Sequence, residues 1–171
     1  MTGGNNKILA IIPGTCFLGI AILYDAELIE WVIKCLPDAA LNGKIDFVMS
    51  LISQLIDRYK ITAIAIKQVS PSKGSPELSR IHAEIKTLGK SRKLTALDFP
   101  LNTIKRSLMP TKGNRSALME KVTEMYPVLF HEMEIAKAHK SQHLLRIFEA
   151  IALGVTCFRY LESHIKRSRK K

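Results

Sequence analysis

Residues 7–24 read KILAIIPGTCFLGIAILY, two apolar runs broken only around Pro13-Gly14-Thr15. Each run, 7–12 and 16–24, has the length and aliphatic content of a strand, and a Pro-Gly pair between such runs is a tight turn. Gly14 is expected to supply the turn conformation, and Thr15 to hydrogen-bond the local backbone. An opening pair of strands commits the chain to a sheet. The segments that follow decide what covers it.

The segment ELIEWVIKCL (27–36) alternates polar and apolar positions, as a third strand with one face on a core would. PDAALNGK (37–44) reads as a loop. In IDFVMSLISQLIDRY (45–59), Ile45, Val48, Ile52, Leu55 and Ile56 recur at helical spacing and predict an amphipathic helix. ITAIAIKQV (61–69) is a continuous apolar run of strand length, the pattern of a buried parallel strand. After the loop 70–76, Ser75-Pro76-Glu77 opens a helix expected to run to about residue 88. A short strand follows at 93–99. A basic loop at 110–116 leads into a helix over ALMEKVTEMY (117–126), and 128–142 carries no clear pattern. A long helix is expected over 142–165, with Leu144, Phe148, Ile151, Val155 and Phe158 as its apolar stripe. The basic run 166–171 is expected to be a disordered tail. The order β-β-β-α-β-α-β-α-α implies one α/β domain over residues 1–165, a mixed sheet with helices on both faces.

The 171 residues carry a formal net charge of +11, with a pI near 9.7, which favours a polyanionic partner. The apolar fraction of 47% and the charged fraction of 24% are those of a soluble globular chain. Cys16, Cys35 and Cys157 lie far apart in apolar runs without a CxxC pair, so buried free thiols in a reducing compartment are expected. The polar start MTGGNNK offers no secretory signal, and no apolar run approaches the roughly 20 residues of a membrane span. These features predict a cytoplasmic location and no membrane partner.

Four stretches carry a resemblance over roughly residues 7–155. ILAIIPGTCFLGIAIL resembles the opening hairpin of the RuvC-type Holliday junction resolvases, in the ribonuclease H-like superfamily. ITAIAIKQV resembles their fourth strand, and DFPLNTIKRSLMPTKGNRSALMEKV their Lys-rich segment and basic loop. HLLRIFEAIALGV is similar to their last helix. The resemblance implies a ribonuclease H-like mixed five-stranded sheet flanked by helices on both faces. It also implies two-metal phosphodiester hydrolysis, in which four acids hold two Mg²⁺ ions, and usually a homodimer.

The positions matching those acids read differently here. The first-strand acid is Ile12 and the fourth-strand acid is Lys67. The last-helix pair is His139 and Gln142 in one register, or Arg146 and Glu149 in the other. At best Glu149 remains. A unit charge pair near 4 Å at an effective dielectric of about 20 is worth roughly 4 kcal/mol, and Lys67 reverses that term against a cation. Mg²⁺ binding in the family's manner, and hence catalysis, is therefore not expected, and no cofactor is assigned. A nuclease with a rearranged Mg²⁺ site built on Glu149, Asp98 or the histidines is the alternative.

The remaining candidates concern binding. Lys67 either contacts a phosphate or is a strand-end lysine in water. Gln142, Arg146 and Glu149 share one helix face, which a solvated Arg-Glu pair would also explain. His139 and His143, four residues apart, fit a Zn²⁺ chelate on a helix, but no HExxH or partner Cys supports it. Lys67, Lys112, Arg115, Lys166, Arg167, Arg169, Lys170 and Lys171 are the candidate contacts to the phosphates of DNA or structured RNA. Few aromatics lie among them, so backbone contact fits better than base stacking. An acidic protein partner, with the fold serving as a scaffold, is the competing use of the same charge.

Overall fold

A computed structural model describes residues 5–70, 72, 74–109 and 111–170. The three expected strands at the start are β1 (Lys7–Ile12), β2 (Phe17–Tyr24) and β3 (Glu27–Cys35), and α1 (Leu41–Tyr59) follows. Then come β4 (Ala63–Lys67), α2 (Pro76–Ser91), β5 (Thr95–Phe99), α3 (Leu101–Leu108) and α4 (Arg115–Met125). A 3₁₀ turn (Pro127–Leu129), α5 (Phe130–His139) and α6 (Gln142–Ser168) complete the order. The strands form one mixed sheet in the order β3-β2-β1-β4-β5. β2 is antiparallel to both β1 and β3, whereas β1, β4 and β5 run parallel.

Strand alternation sorts the side chains into two layers. Leu9, Ile11, Ile20, Ile22, Ile64 and Ile66 bury against Val48 and Ile52 of α1 and Ile81 and Ile85 of α2. Ile8, Ala10, Ala21, Ala63 and Ala65 face the other way, towards α6 and the shorter helices. The second layer is lined by small residues, and they let α6 lie close. A Cβ on Gly154 would fall 2.3 Å from Leu23 Cδ1, and a Cβ on Gly19 would fall 2.8 Å from the Arg146 carbonyl oxygen. Every residue of α6 from Ile147 to Cys157 is buried. Burial pushes the Cys157 thiol up to about 12.

Several expectations change. The 45–59 helix begins at Leu41, inside the expected loop. Two further helices are present: α3, between the strand 93–99 and the loop 110–116 where no element is assigned from sequence, and α5, within the unpatterned 128–142. The run 166–171 is not a disordered tail throughout, since α6 continues to Ser168; Lys166 and Arg167 sit in its last turn, where cations complement the helix dipole. Lys171 lies outside the described residues. Cys16 and Cys35 are exposed rather than buried, because one sits in the β1–β2 turn and the other at the end of the edge strand β3. Gly14 does not use a left-handed turn conformation, as no described glycine has positive φ. The left-handed positions are instead Asp25, Lys60, Lys93 and Lys140. Among the described residues no helix is long and apolar enough to cross a membrane.

Candidate functional site

Parallel strands leave a crevice beyond their carboxyl ends where the connections diverge to the two faces. Here the ends of β1, β4 and β5 place Pro13, Lys67 and Pro100 on the rim of one cleft of about 590 Å³. Gln68, Ser70, Leu101, Asn102 and Arg115 are among the residues that line it. Sequence patterns single out Lys67 and Arg115 but miss Gln68 and Asn102 as site residues. Their signal is position, since each lies within three residues after a parallel strand.

At the floor of this edge, the Lys67 ammonium donates to Glu149 Oε2 at 2.9 Å. The Glu149 side chain is 7% exposed and that of Lys67 27%. Helix α6 therefore delivers its buried carboxylate, Glu149, to the end of β4, and β4 answers with a cation. The solvated-face explanation of Gln142, Arg146 and Glu149 is overturned for Glu149, because this part of α6 is buried all round. Arg146 is held too. Its guanidinium donates to the Phe17 carbonyl oxygen at 2.6 Å, across the β1–β2 turn. A Cβ on Gly14 would lie 2.0 Å from Arg146 Nη1, so Gly14 is the gap through which this arginine passes. Ile12 closes the end of β1 as a buried apolar side chain.

The two alternative helix pairs are now distinct in space. Arg146 and Glu149 lie at the strand ends. Gln142 opens α6, exposed, and accepts from Arg115 at 2.7 Å. His139 ends α5, and the left-handed Lys140 breaks the chain before His143 enters α6. His139 and His143 thus occupy different helices and form no i, i+4 chelate. His143 packs instead on the Phe17 ring, with centroids 3.9 Å apart. Among the described residues no three His, Cys, Asp or Glu side chains group as a metal site.

The magnesium implied by the resemblance does not fit these residues. Mg²⁺ needs several hard oxygen ligands around it. The site offers one carboxylate, already engaged by an ammonium, beside an isoleucine and a guanidinium. Asp98 does not join it. Asp98 pairs in register with Ile66, so it faces α2, where Lys86 Nζ is 3.4 Å from its Oδ2 and His82 Nε2 is 3.8 Å away.

That second cluster has its own pH consequence. Burial holds the His82 imidazole below its ordinary value; Asp98 opposes this and Lys86 adds to it. The folded state thus binds this proton less readily than the unfolded chain does. Stability is full above the free imidazole value and is lost as pH falls below about 6.5. A series of denaturant midpoints should decline on acidification through that region, and His82→Leu should flatten this part of the decline.

The other candidate cations are scattered. Lys112 is exposed in the loop before α4, and Arg115 lies at the first turn of α4. Lys166, Arg167, Arg169 and Lys170 are exposed at the far end of α6, with Arg169 and Lys170 capping it through backbone N–H bonds to Ile165 and Arg167. From Glu149 to Lys166 is about 25 Å along the axis, at about 1.5 Å per residue. The expected contacts therefore do not form one patch with Lys67.

No family model matches the chain, and no curated protein matches it in sequence. Solved structures do match. RuvC from T. thermophilus, in complex with a Holliday junction substrate, superposes with a TM-score of 0.68 at 13% identity, covering 92% of this chain and 96% of that one. The yeast mitochondrial Holliday junction resolvase Ydc2 gives 0.62 at 12% identity, over 99% and 85%. The fowlpox virus resolvase, in complex with Holliday junction DNA, gives 0.56 at 16% identity, over 91% and 98%. This is the fold of the Holliday junction resolvases. Within that resolvase fold, the mixed five-stranded sheet and the helices on both its faces are as the opening hairpin and the β/α order predict.

Proposed function

We propose that this chain is a catalytically inactive, RuvC-like nucleic-acid-binding protein that contacts phosphates without a metal. The observation that carries this reading is the Lys67–Glu149 ion pair at the carboxyl end of β4, beside the buried Ile12. A tethered ammonium takes the place of a bound cation and satisfies the one remaining carboxylate. Hydrolysis by activated water then has no metal to depend on. What remains is a cleft rimmed by Arg115, Asn102 and Gln68, groups that hydrogen-bond phosphate oxygens. The net charge of +11 supplies the long-range attraction. The T. thermophilus and fowlpox resolvases were solved with Holliday junctions bound, which supports a nucleic-acid ligand for the same fold.

The test is a titration against four-way junction DNA, duplex DNA and structured RNA at two salt concentrations, with cleavage monitored. Affinity should fall steeply with salt, the substrate should stay intact, and replacing Mg²⁺ by a chelator at constant ionic strength should change little. Arg115→Ala should lower affinity on every sequence and reduce the salt slope by about one. Cleavage in Mg²⁺ would sink the inactive reading. Absence of binding at low salt would turn the basic surface over to an acidic protein partner.

A further inference from the structure

The cleft lies at the carboxyl ends of β1, β4 and β5, yet a denser group of cations lies at their amino ends. α1 ends in Arg58 and Lys60, and α2 ends in Lys90, followed by Arg92 and Lys93; all five are exposed. Hydrogen bonds tie these ends together. Ile61 N donates to Ile56 O, Leu94 N to Gly89 O, and Thr95 N to Thr62 O, so both helix ends feed directly into neighbouring strands. Arg92 bonds Asp57 across the two helices. Among the described residues, Lys60, Lys90 and Lys93 have no carboxylate partner, and Asp57 is the acid paired within the group.

Two of these lysines sit where lysine is a poor structural choice. Lys60 has φ 54° and Lys93 has φ 59°. A helix normally leaves through such a left-handed position on glycine or asparagine, which lack the Cβ conflict. Helix-dipole compensation accounts for a cation in a last turn, but a lysine one position earlier serves that purpose without strain. Lys140 leaves α5 in the same conformation away from this edge, so a left-handed lysine alone marks no site; what sets Lys60 and Lys93 apart is that two adjacent chain reversals place charges without carboxylate partners on one edge.

Resting on the nucleic-acid reading above, we propose that this edge is a second phosphate-backbone surface, which holds a duplex segment separate from the one at the cleft. The two surfaces sit at opposite ends of the same strands. β4 and β5 are adjacent parallel strands, so the chain segments that enter them carry their cations side by side on one edge, where long side chains can reach a phosphate backbone. The partner is a duplex backbone rather than bases, because the aromatic among these cations, Tyr59, is half-buried and its ring is already covered by the Arg58 guanidinium, 5.3 Å from its centroid.

The test uses the full chain and a Lys60→Gly/Lys93→Gly variant. Glycine relaxes both left-handed positions, so the variant's melting temperature should rise or hold. The readouts are the salt slope for a short duplex and the capture of a free labelled duplex by an immobilised one through the protein. The parent should bridge the two duplexes. The glycine variant should bind one duplex, lose most of the bridging, and show a salt slope lower by about two. An Arg58→Gln/Lys90→Gln variant, which leaves both reversals intact, should lose bridging in the same way. Unchanged bridging in both variants overturns the proposal. A lower slope in a parent that never bridges overturns the claim of a separate segment. A fall in melting temperature of the glycine variant assigns the lysines to the fold and overturns it too. If the parent binds no duplex at all, the nucleic-acid reading itself has failed, and Arg115→Ala will then have nothing to reduce.

Discussion

Lys67→Met is expected to destabilise the protein by about 3 kcal/mol, in the range found when one partner of a buried ion pair is removed. The reason is the carboxylate left behind. Glu149 is almost fully buried on α6 and accepts from the Lys67 ammonium. The reciprocal change should cost less. Glu149→Gln leaves an ammonium that is more exposed and sits on a flexible stem that can reach water, so about 1 kcal/mol is expected. The double variant Lys67→Met/Glu149→Leu should recover most of the loss, since a packed apolar pair often matches a buried ion pair. Urea denaturation of the four proteins in a double-mutant cycle measures this. Equal losses for the two single changes would show that the pair is effectively solvated.

Gly19→Ala should be as damaging, about 3 kcal/mol, at the upper end of the cost of overpacking. A Cβ at Gly19 meets the Arg146 carbonyl oxygen at 2.8 Å and the Arg146 Cβ at 2.9 Å. These atoms belong to the body of α6 and cannot rotate away. The whole helix must lift, and the Lys67–Glu149 contact must lengthen with it. Gly154→Ala is the control. Its Cβ meets only the end of the Leu23 side chain, which can turn, and alanine regains about 1 kcal/mol of helix propensity. A melting series should therefore place Gly19→Ala well below Gly154→Ala. If the order is reversed, the close approach of α6 is not set at this glycine.

The part of this architecture legible in the sequence is the part coded by short-range pattern. The apolar runs of β1, β2 and β4 and the 3.6-residue repeat of α1 each lie within a dozen or so neighbouring residues. α3 and α5 escaped that reading for identifiable reasons. α3 is eight residues long, buries only Ile104 and Leu108, and has no side-chain cap at Pro100. α5 buries only Ala136, so it has no apolar face to detect. The burial of Glu149 was hidden by the breadth of burial on α6, which leaves its middle without a polar side. Gly14 was the least legible of all. Its partner Arg146 is 132 positions away in the chain, and a Pro-Gly turn offered a sufficient local reason for the glycine. The substitutions at Ile12 and Lys67 could be read from sequence because a resemblance fixed which positions to inspect. That Lys67 would find Glu149 could not, because pairing across folded layers leaves no local trace.

Helix α6 also has a consequence for how the chain comes into being on the ribosome. Everything that it packs against, the strands β1 to β4 and the helices α3 to α5, precedes it in the chain. During synthesis the alanine-lined face of the sheet is therefore made long before its cover emerges. Nascent chains ending before Gln142 would present Ala10, Ala21, Ala63 and Ala65 to solvent, and consolidation of that layer waits on the emergence of α6.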